Sequence, residues 1–319
     1  MNARIRQAAF ALSSLAIAAA SMAANAADAP KADLVNRQQL RVCSDPADLP
    51  FSNEKQEGFE NKIADIIGDE LKLPVEYTWY PKSMGFVRMT LAAKKCDLVI
   101  GWGQGDELLL NTNHFYRSVS ALVFKPGTGL DGVETLADPR LKDKRIGVVA
   151  GAPAADYVAK YGLMGKAKPY KLVVDRRYES PAEEMMKDMR SGEIDAGVEW
   201  GPIAGYWAKH GGEALTVVPL LKEQGRVRLH YRITMGVRQG DDAWKRQLNQ
   251  VIAKRQGDID KVLLDFGVPL LVDDDTSMEM ITAPRANGAA APAEDARAAG
   301  ASAPNAPGVP VPAGSAGSR

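Results

Sequence analysis

Apolar and polar positions along this chain follow two spacings in turn, and the order in which they occur lays out a fold. Short apolar runs at residues 40–43, 75–80 and 97–102 have the length of strands. Between them Ile63, Ile66, Ile67 and Leu71 recur at helical spacing, and residues 86–93 predict a second helix. Strands that alternate with helices imply an α/β fold whose parallel sheet is covered on both faces. The pattern restarts after Lys125-Pro126-Gly127, with strands at 145–149, 172–174 and 194–199 and helices at 151–161 and 181–190. Two such units imply two lobes and a cleft. A strand at 231–237 and a long helix over 241–266 predict a return to the first lobe; Trp244, Leu248, Val251, Ile252, Ile259, Leu263 and Phe266 form the helix's apolar side.

Both ends of the chain break this pattern. Arg4 and Arg6 precede an apolar run over 8–20, and Ala24-Asn25-Ala26 offers a small-x-small cleavage site. Residues 1–26 are therefore expected to be a cleavable export signal that directs the chain to the periplasm. No later apolar run reaches the roughly 20 residues of a spanning helix, so no membrane span is expected. Residues 285–319, rich in Ala, Pro, Gly and Ser, are expected to be a disordered tail, either an inert spacer or a partner-binding arm. The expected divisions between the ends are a first lobe over 31–123, a second over 124–231 and a return over 232–284.

Charge and cysteine content narrow the picture. The chain carries 40 basic and 40 acidic residues, and loss of the signal's arginines leaves it slightly acidic. That balance gives no broad attraction to nucleic acid or to a membrane surface. In an exported chain Cys43 and Cys96 point to a disulfide. Its loop of about 53 residues would contribute about 4 kcal/mol in the chain-entropy model. Two buried thiols are the alternative, because parallel register can hold the two strands' cysteines beyond bridging distance. His114, His210 and His230 share no ligand spacing, and neither a metal nor a cofactor is expected.

The motifs around the first strand are more specific. Arg41-Val42-Cys43-Ser44-Asp45-Pro46, Leu49-Pro50-Phe51-Ser52-Asn53 and Gly58-Phe59-Glu60-Asn61-Lys62-Ile63-Ala64 resemble the first strand-loop-helix unit of periplasmic solute-binding proteins. Tyr77-Thr78-Trp79-Tyr80-Pro81, Gly85-Phe86-Val87-Arg88, Cys96-Asp97-Leu98-Val99, Phe115-Tyr116-Arg117-Ser118, the 231–238 stretch and Phe266-Gly267-Val268-Pro269-Leu270 follow in order. Together they resemble the MoxJ/XoxJ family, substrate-binding-like proteins encoded beside quinoprotein methanol dehydrogenases. The resemblance implies a two-lobed periplasmic-binding-protein-like fold with two hinge crossings, near 123–125 and 232–234. It also implies a non-catalytic accessory role toward a PQQ-dependent methanol dehydrogenase, with that enzyme's cytochrome c acceptor as a second candidate partner. The sequence departs from the family pattern at residues 102–107, which bears on the ligand-facing surface more than on the fold.

Residue types in the expected cleft fit that implication better than they fit solute capture. Amino-acid-binding relatives grip a carboxylate with an Arg after the third strand, whereas residues 107–111 hold none here. Gly151-Ala152-Pro153-Ala154-Ala155 lacks the hydroxyls that receive the same carboxylate, and Pro153 removes one amide. The residues expected to face the cleft are Asp45, Phe51, Trp102, Gln104, Arg117, Glu199 and Trp200, of which the tryptophans and Phe51 could equally be packing residues. Two other functions stay open. One is a solute receptor for an ABC transporter; the other is a dehydratase-like enzyme using Glu199 and Asp45 as acid and base.

Overall fold

Apolar runs without polar alternation become central strands, because only a strand covered on both faces can bury every side chain. The computed structural model describes residues 34–212, 214–274 and 277–288. Its first part holds Leu40–Ser44 (β1), a small hairpin of Ala47–Asp48 (β2) and Ser52–Asn53 (β3), and helix Phe59–Leu71 (α1). Val75–Trp79 (β4), the single turn Phe86–Met89 (α2), Leu98–Gly103 (β5) and Leu110–Asn111 (β6) follow. Tyr116–Phe124 (β7) then leads into Ile146–Val149 (β8), Pro153–Lys160 (α3), Lys168–Tyr170 (β9), Pro181–Ser191 (α4), Ala196–Trp200 (β10), Gly201–His210 (α5) and Thr216–Pro219 (β11). The chain closes with His230–Val237 (β12), Asp242–Asp265 (α6) and the hairpin of Leu270–Leu271 (β13) and Met280–Ile281 (β14).

The sheet order is β4-β1-β5-β12-β7-β10-β8-β9, with β6 on β12 and β11 on β7. The outer triplets β4-β1-β5 and β10-β8-β9 are parallel, and antiparallel β7 and β12 join them. β7 pairs with β12 through Val119 and with β10 and β11 from Ser120 onward. The change of partner thus falls a few residues before 123–125, because all nine residues of β7 are buried and run through both halves. In β12 it falls at Ile233, which faces both Tyr116 and Gly103.

Packing follows the helix stripes. Phe59, Ile63 and Ile67 of α1 and Trp244, Leu248, Ile252 and Leu263 of α6 share one core with Leu40, Ile100 and Met235. Each such side chain contributes roughly 2 kcal/mol by leaving water. Met185, Met186 and Met189 of α4 cover the opposite triplet. Cys43 and Cys96 form a disulfide with their Cα atoms 5.5 Å apart, buried with Phe86, Leu91 and Trp102. The bend before β5 brings Cys96 back over β1, where Asp97 N donates to Arg41 O, so register does not separate the pair.

Three expectations need correction. The strand expected at 172–174 lies at Lys168–Tyr170, paired with β8; Leu172 overruns the sheet to pack beneath it and Val173 is exposed. The helix expected over 86–93 stops at Met89, and turns continue to the left-handed Lys94. The tail expected from 285 is seated through Gly288. Arg285 pairs with Asp260, Asn287 Oδ1 accepts from Gly257 N at 2.7 Å, and Gly288 N donates to Ala253 O at 3.0 Å. Those two bonds replace the helical Gly257-to-Ala253 bond, and the neighbouring Arg255 leaves helical geometry, so α6 kinks there. Gly257 permits the approach, since a Cβ would lie 2.3 Å from Arg285 O. The expected export signal and residues 289–319 lie outside the described residues. Among the described residues, no helix is long and apolar enough to cross a membrane.

Candidate functional site

Parallel strands end together, and the turns that leave them collect polar side chains beyond the sheet. At the carboxyl ends of β1, β4 and β5, Asp45, Asp48, Glu60 and Lys82 gather and are all buried. Asp45 is held by backbone amides: Ala47 N donates to Oδ1 at 2.9 Å and Lys82 N to Oδ2 at 2.5 Å. Lys82 Nζ donates to Glu60 Oε2 at 2.8 Å and lies 5.9 Å from the centre of the Phe51 ring. From the other triplet come Glu199, at the end of β10, and Arg176, on the coil between β9 and α4. Arg176 Nε lies 2.8 Å from Asp48 Oδ1, which joins the two halves across the cleft. A small cavity lined by Val149, Leu172, Arg176, Ala182, Glu199 and Ile203 lies beside this pair.

The cluster is short of positive charge. Four buried carboxylates face Lys82 and Arg176, and burial penalises whichever carboxylates stay ionised. Burial pushes Asp48 up to about 6, although Arg176 and Lys82 pull it back. Burial likewise pushes Glu60 up to about 7 against the pull of Lys82. Glu199 rises to about 7 by burial, opposed by the Trp200 amide at 2.8 Å and by the charge of Arg176. Neither Asp48 oxygen receives a directed hydrogen bond, so charge alone holds the Arg176 pair, and Glu60 Oε1 receives none either. Glu60 Oε1 occupies the space above Gly101, where a Cβ would lie 1.9 Å away.

Of the seven residues expected to face the cleft, Asp45, Phe51 and Glu199 meet in this cluster. Trp102 does not. It stacks on Phe86 at 6.2 Å, and Asp106 Oδ2 accepts its indole N–H at 3.0 Å, so the 102–107 turn draws the ring into the disulfide core. Trp200 packs edge-on against Tyr231 at 5.7 Å. Arg117 is turned to the 272–278 segment, where it donates to the carbonyls of Val272, Asp274 and Ser277. Gln104 lies past the end of β5, with its amide on Arg232 O. The carboxylate grip is absent where expected. Ala152 caps α3 without a side-chain bond, and residues 107–111 form a turn and β6, with Leu109 in the disulfide core.

Comparison with known proteins settles the lineage. The crystal structure of the periplasmic binding protein XoxJ from Methylobacterium extorquens AM1 superposes with a TM-score of 0.63 at 42% identity, covering 73% of this chain and 100% of that one. The chain belongs to the MoxJ/XoxJ family of periplasmic binding proteins. Protein MoxJ of Methylorubrum extorquens is 27% identical over 263 residues, 77% of this chain and 85% of that protein. An ancestral amino-acid-binding protein described as a precursor of cyclohexadienyl dehydratase shares the fold, with a TM-score of 0.53 at 22% identity over 72% of this chain and 96% of that one. No family model matches the chain.

Four members of this cluster escaped the reading of the sequence: Asp48, Glu60, Lys82 and Arg176. Glu60 alone left a signal, because with Ile63, Ala64 and Ile67 it lies on the buried stripe of α1, where a carboxylate is out of place. Asp48 ends the two-residue strand β2, Lys82 and Arg176 sit in loops, and only the approach of the two halves brings Arg176 to Asp48.

Proposed function

We propose that this protein is a non-catalytic periplasmic accessory of a PQQ-dependent methanol dehydrogenase, exported by a signal over residues 1–26. Its cleft receives a segment of that enzyme and supports its maturation or activation. Kinship with XoxJ and MoxJ supports the reading. The observation that carries it is the state of the cations at the cleft: Lys82 is committed to Glu60, Arg176 to Asp48, and Lys171, which also lines the small cavity, to Glu179 at the surface. A cleft with surplus acid and no uncommitted cation among these residues is a poor receptor for an amino-acid carboxylate. Large apolar side chains lie exposed on the coils that carry Lys82 and Arg176, namely Met84 at 72% and Val173 and Tyr178 at 54% and 81%. Such exposure suits docking of a protein segment.

The dehydratase-like reading has little to build on, because Asp45 spends both oxygens on backbone amides. Calorimetry of the mature protein against apo and cofactor-loaded dehydrogenase tests the proposal. Binding that prefers the apo enzyme, together with dehydrogenase of low cofactor content when it is produced without this protein, is the expected result. Absence of binding to either form sends the assignment to the solute-receptor reading, which a thermal-shift screen of small organic solutes would then pursue.

A further inference from the structure

The closed cleft already contains a ligand-like group, and this chain supplies it. Arg176 stands on the irregular 171–180 coil, flanked by Asp175 and Arg177, which pair with each other at the surface at 2.6 Å. Its own guanidinium instead crosses to Asp48, with side-chain exposures of 13% and 0%. Glu199, from the second triplet, lines the same small cavity as Arg176, and Glu60, on the first triplet's side, is paired with Lys82 at 2.8 Å. The acceptors in this seat are under-used. Both Asp48 oxygens and Glu60 Oε1 are buried without a hydrogen-bond donor, although a guanidinium can give a carboxylate two parallel bonds. A tethered arginine that reaches the seat through Nε satisfies charge and leaves direction unsatisfied.

We propose that the seat formed by Asp48, Glu60 and Glu199 is a binding site for a guanidinium or alkylammonium group, and that Arg176 is its internal, displaceable occupant. The entering group can belong to a free cationic solute or to a basic side chain of a protein partner; the chemistry of the seat is the same. Because Arg176 competes from the same chain, at an effective concentration in the millimolar range, the seat responds weakly to a cation until Arg176 is removed. The inference does not depend on the dehydrogenase assignment.

Thermal unfolding of the mature full-length protein with millimolar agmatine, against potassium chloride at equal ionic strength, tests it. Arg176→Ala empties the seat. Agmatine at ten times its dissociation constant should then raise the Tm by about 3 °C. The shift should be at least ten-fold less sensitive to agmatine in the unmodified protein and absent in the Arg176→Ala/Asp48→Asn double variant. If Arg176→Ala does not fold, Arg176→Gln empties the seat while keeping a polar side chain. A folded variant that agmatine leaves unmoved, or a shift that persists without Asp48, overturns the proposal. Calorimetry of the same variant separates the sources. Tightened binding of both agmatine and dehydrogenase assigns the entering group to a partner's basic side chain, and tightened binding of agmatine alone assigns it to a free solute.

Discussion

Two buried charge clusters in this fold are built on opposite terms. Around Asp97 acids and cations balance: Arg41 Nε and Arg238 Nη2 reach its oxygens at 2.8 and 2.6 Å, Asn36 N adds a bond at 3.1 Å, and Arg238 Nη2 also lies 2.8 Å from Asp241 Oδ2. Trp244 Nε1 donates to the same residue's carbonyl at 3.0 Å, so the cluster ties β1, β5, β12 and α6 together. Burial alone would raise the Asp97 pKa, yet these bonds hold it below the usual carboxylate value. Around Asp48 the acids outnumber the cations, oxygens lack donors, and the pKa values are pushed up. The difference separates a central acid saturated with donors from one that is short of them. Both oxygens of Asp97 are satisfied by donors of its own chain, whereas both oxygens of Asp48 lack one at the mouth of a cleft.

Removing the central acid of each cluster should break the symmetry most sharply. Asp97→Asn leaves Arg41 without its counter-charge and Arg238 with Asp241 alone, and urea unfolding should show a loss of about 3 kcal/mol. Asp48→Asn should cost less than about 1 kcal/mol, because Arg176 stands on a surface coil and can turn to water. Glu199→Gln should separate the clusters by pH. A carboxyl whose folded pKa is raised binds its proton more tightly when folded, so it subtracts stability as the pH rises from about 4.5 through about 7. The variant should therefore be more stable than the parent at pH 8, by on the order of 2 kcal/mol, and indistinguishable near pH 4. Asp97 works in the opposite sense: its stabilisation is complete above the ordinary carboxylate pKa and lost as the pH falls through its lowered value. The smallest expected effect concerns the 285–288 segment. A chain ending at Pro284 frees Asp260 and the α6 kink and should lose about 1–2 kcal/mol relative to one ending at Gly288.

The strands and helices of the fold were legible where burial imposes a period. β1, β5, α4, β10, β12 and α6 occur where the apolar spacing placed them, within a few residues at the ends. The run at 172–174 misled because apolar content says that residues pack, and only a hydrogen-bonded neighbour says that they form a strand; β8 pairs with 168–170. The candidate site was legible in part. Asp45 and Phe51 lie in motifs next to the first strand, and Glu199 ends a buried one. Trp102 and Arg117 were misplaced because spacing cannot show that Asp106 collects an indole N–H, or that three carbonyls of the 272–278 segment collect a guanidinium. Arg176 was invisible, because its partner lies in the other half of the fold and no local pattern joins them.

Hydrogen exchange on the mature protein, with and without apo methanol dehydrogenase, tests the central claim most directly, since it reads the cleft coils and the Asp97 cluster in one experiment. The account predicts that the dehydrogenase slows exchange over residues 45–53, 80–85 and 171–180 and leaves the amides around Asp97 unchanged. Binding that protects a different face and leaves those three segments as mobile as before would contradict it.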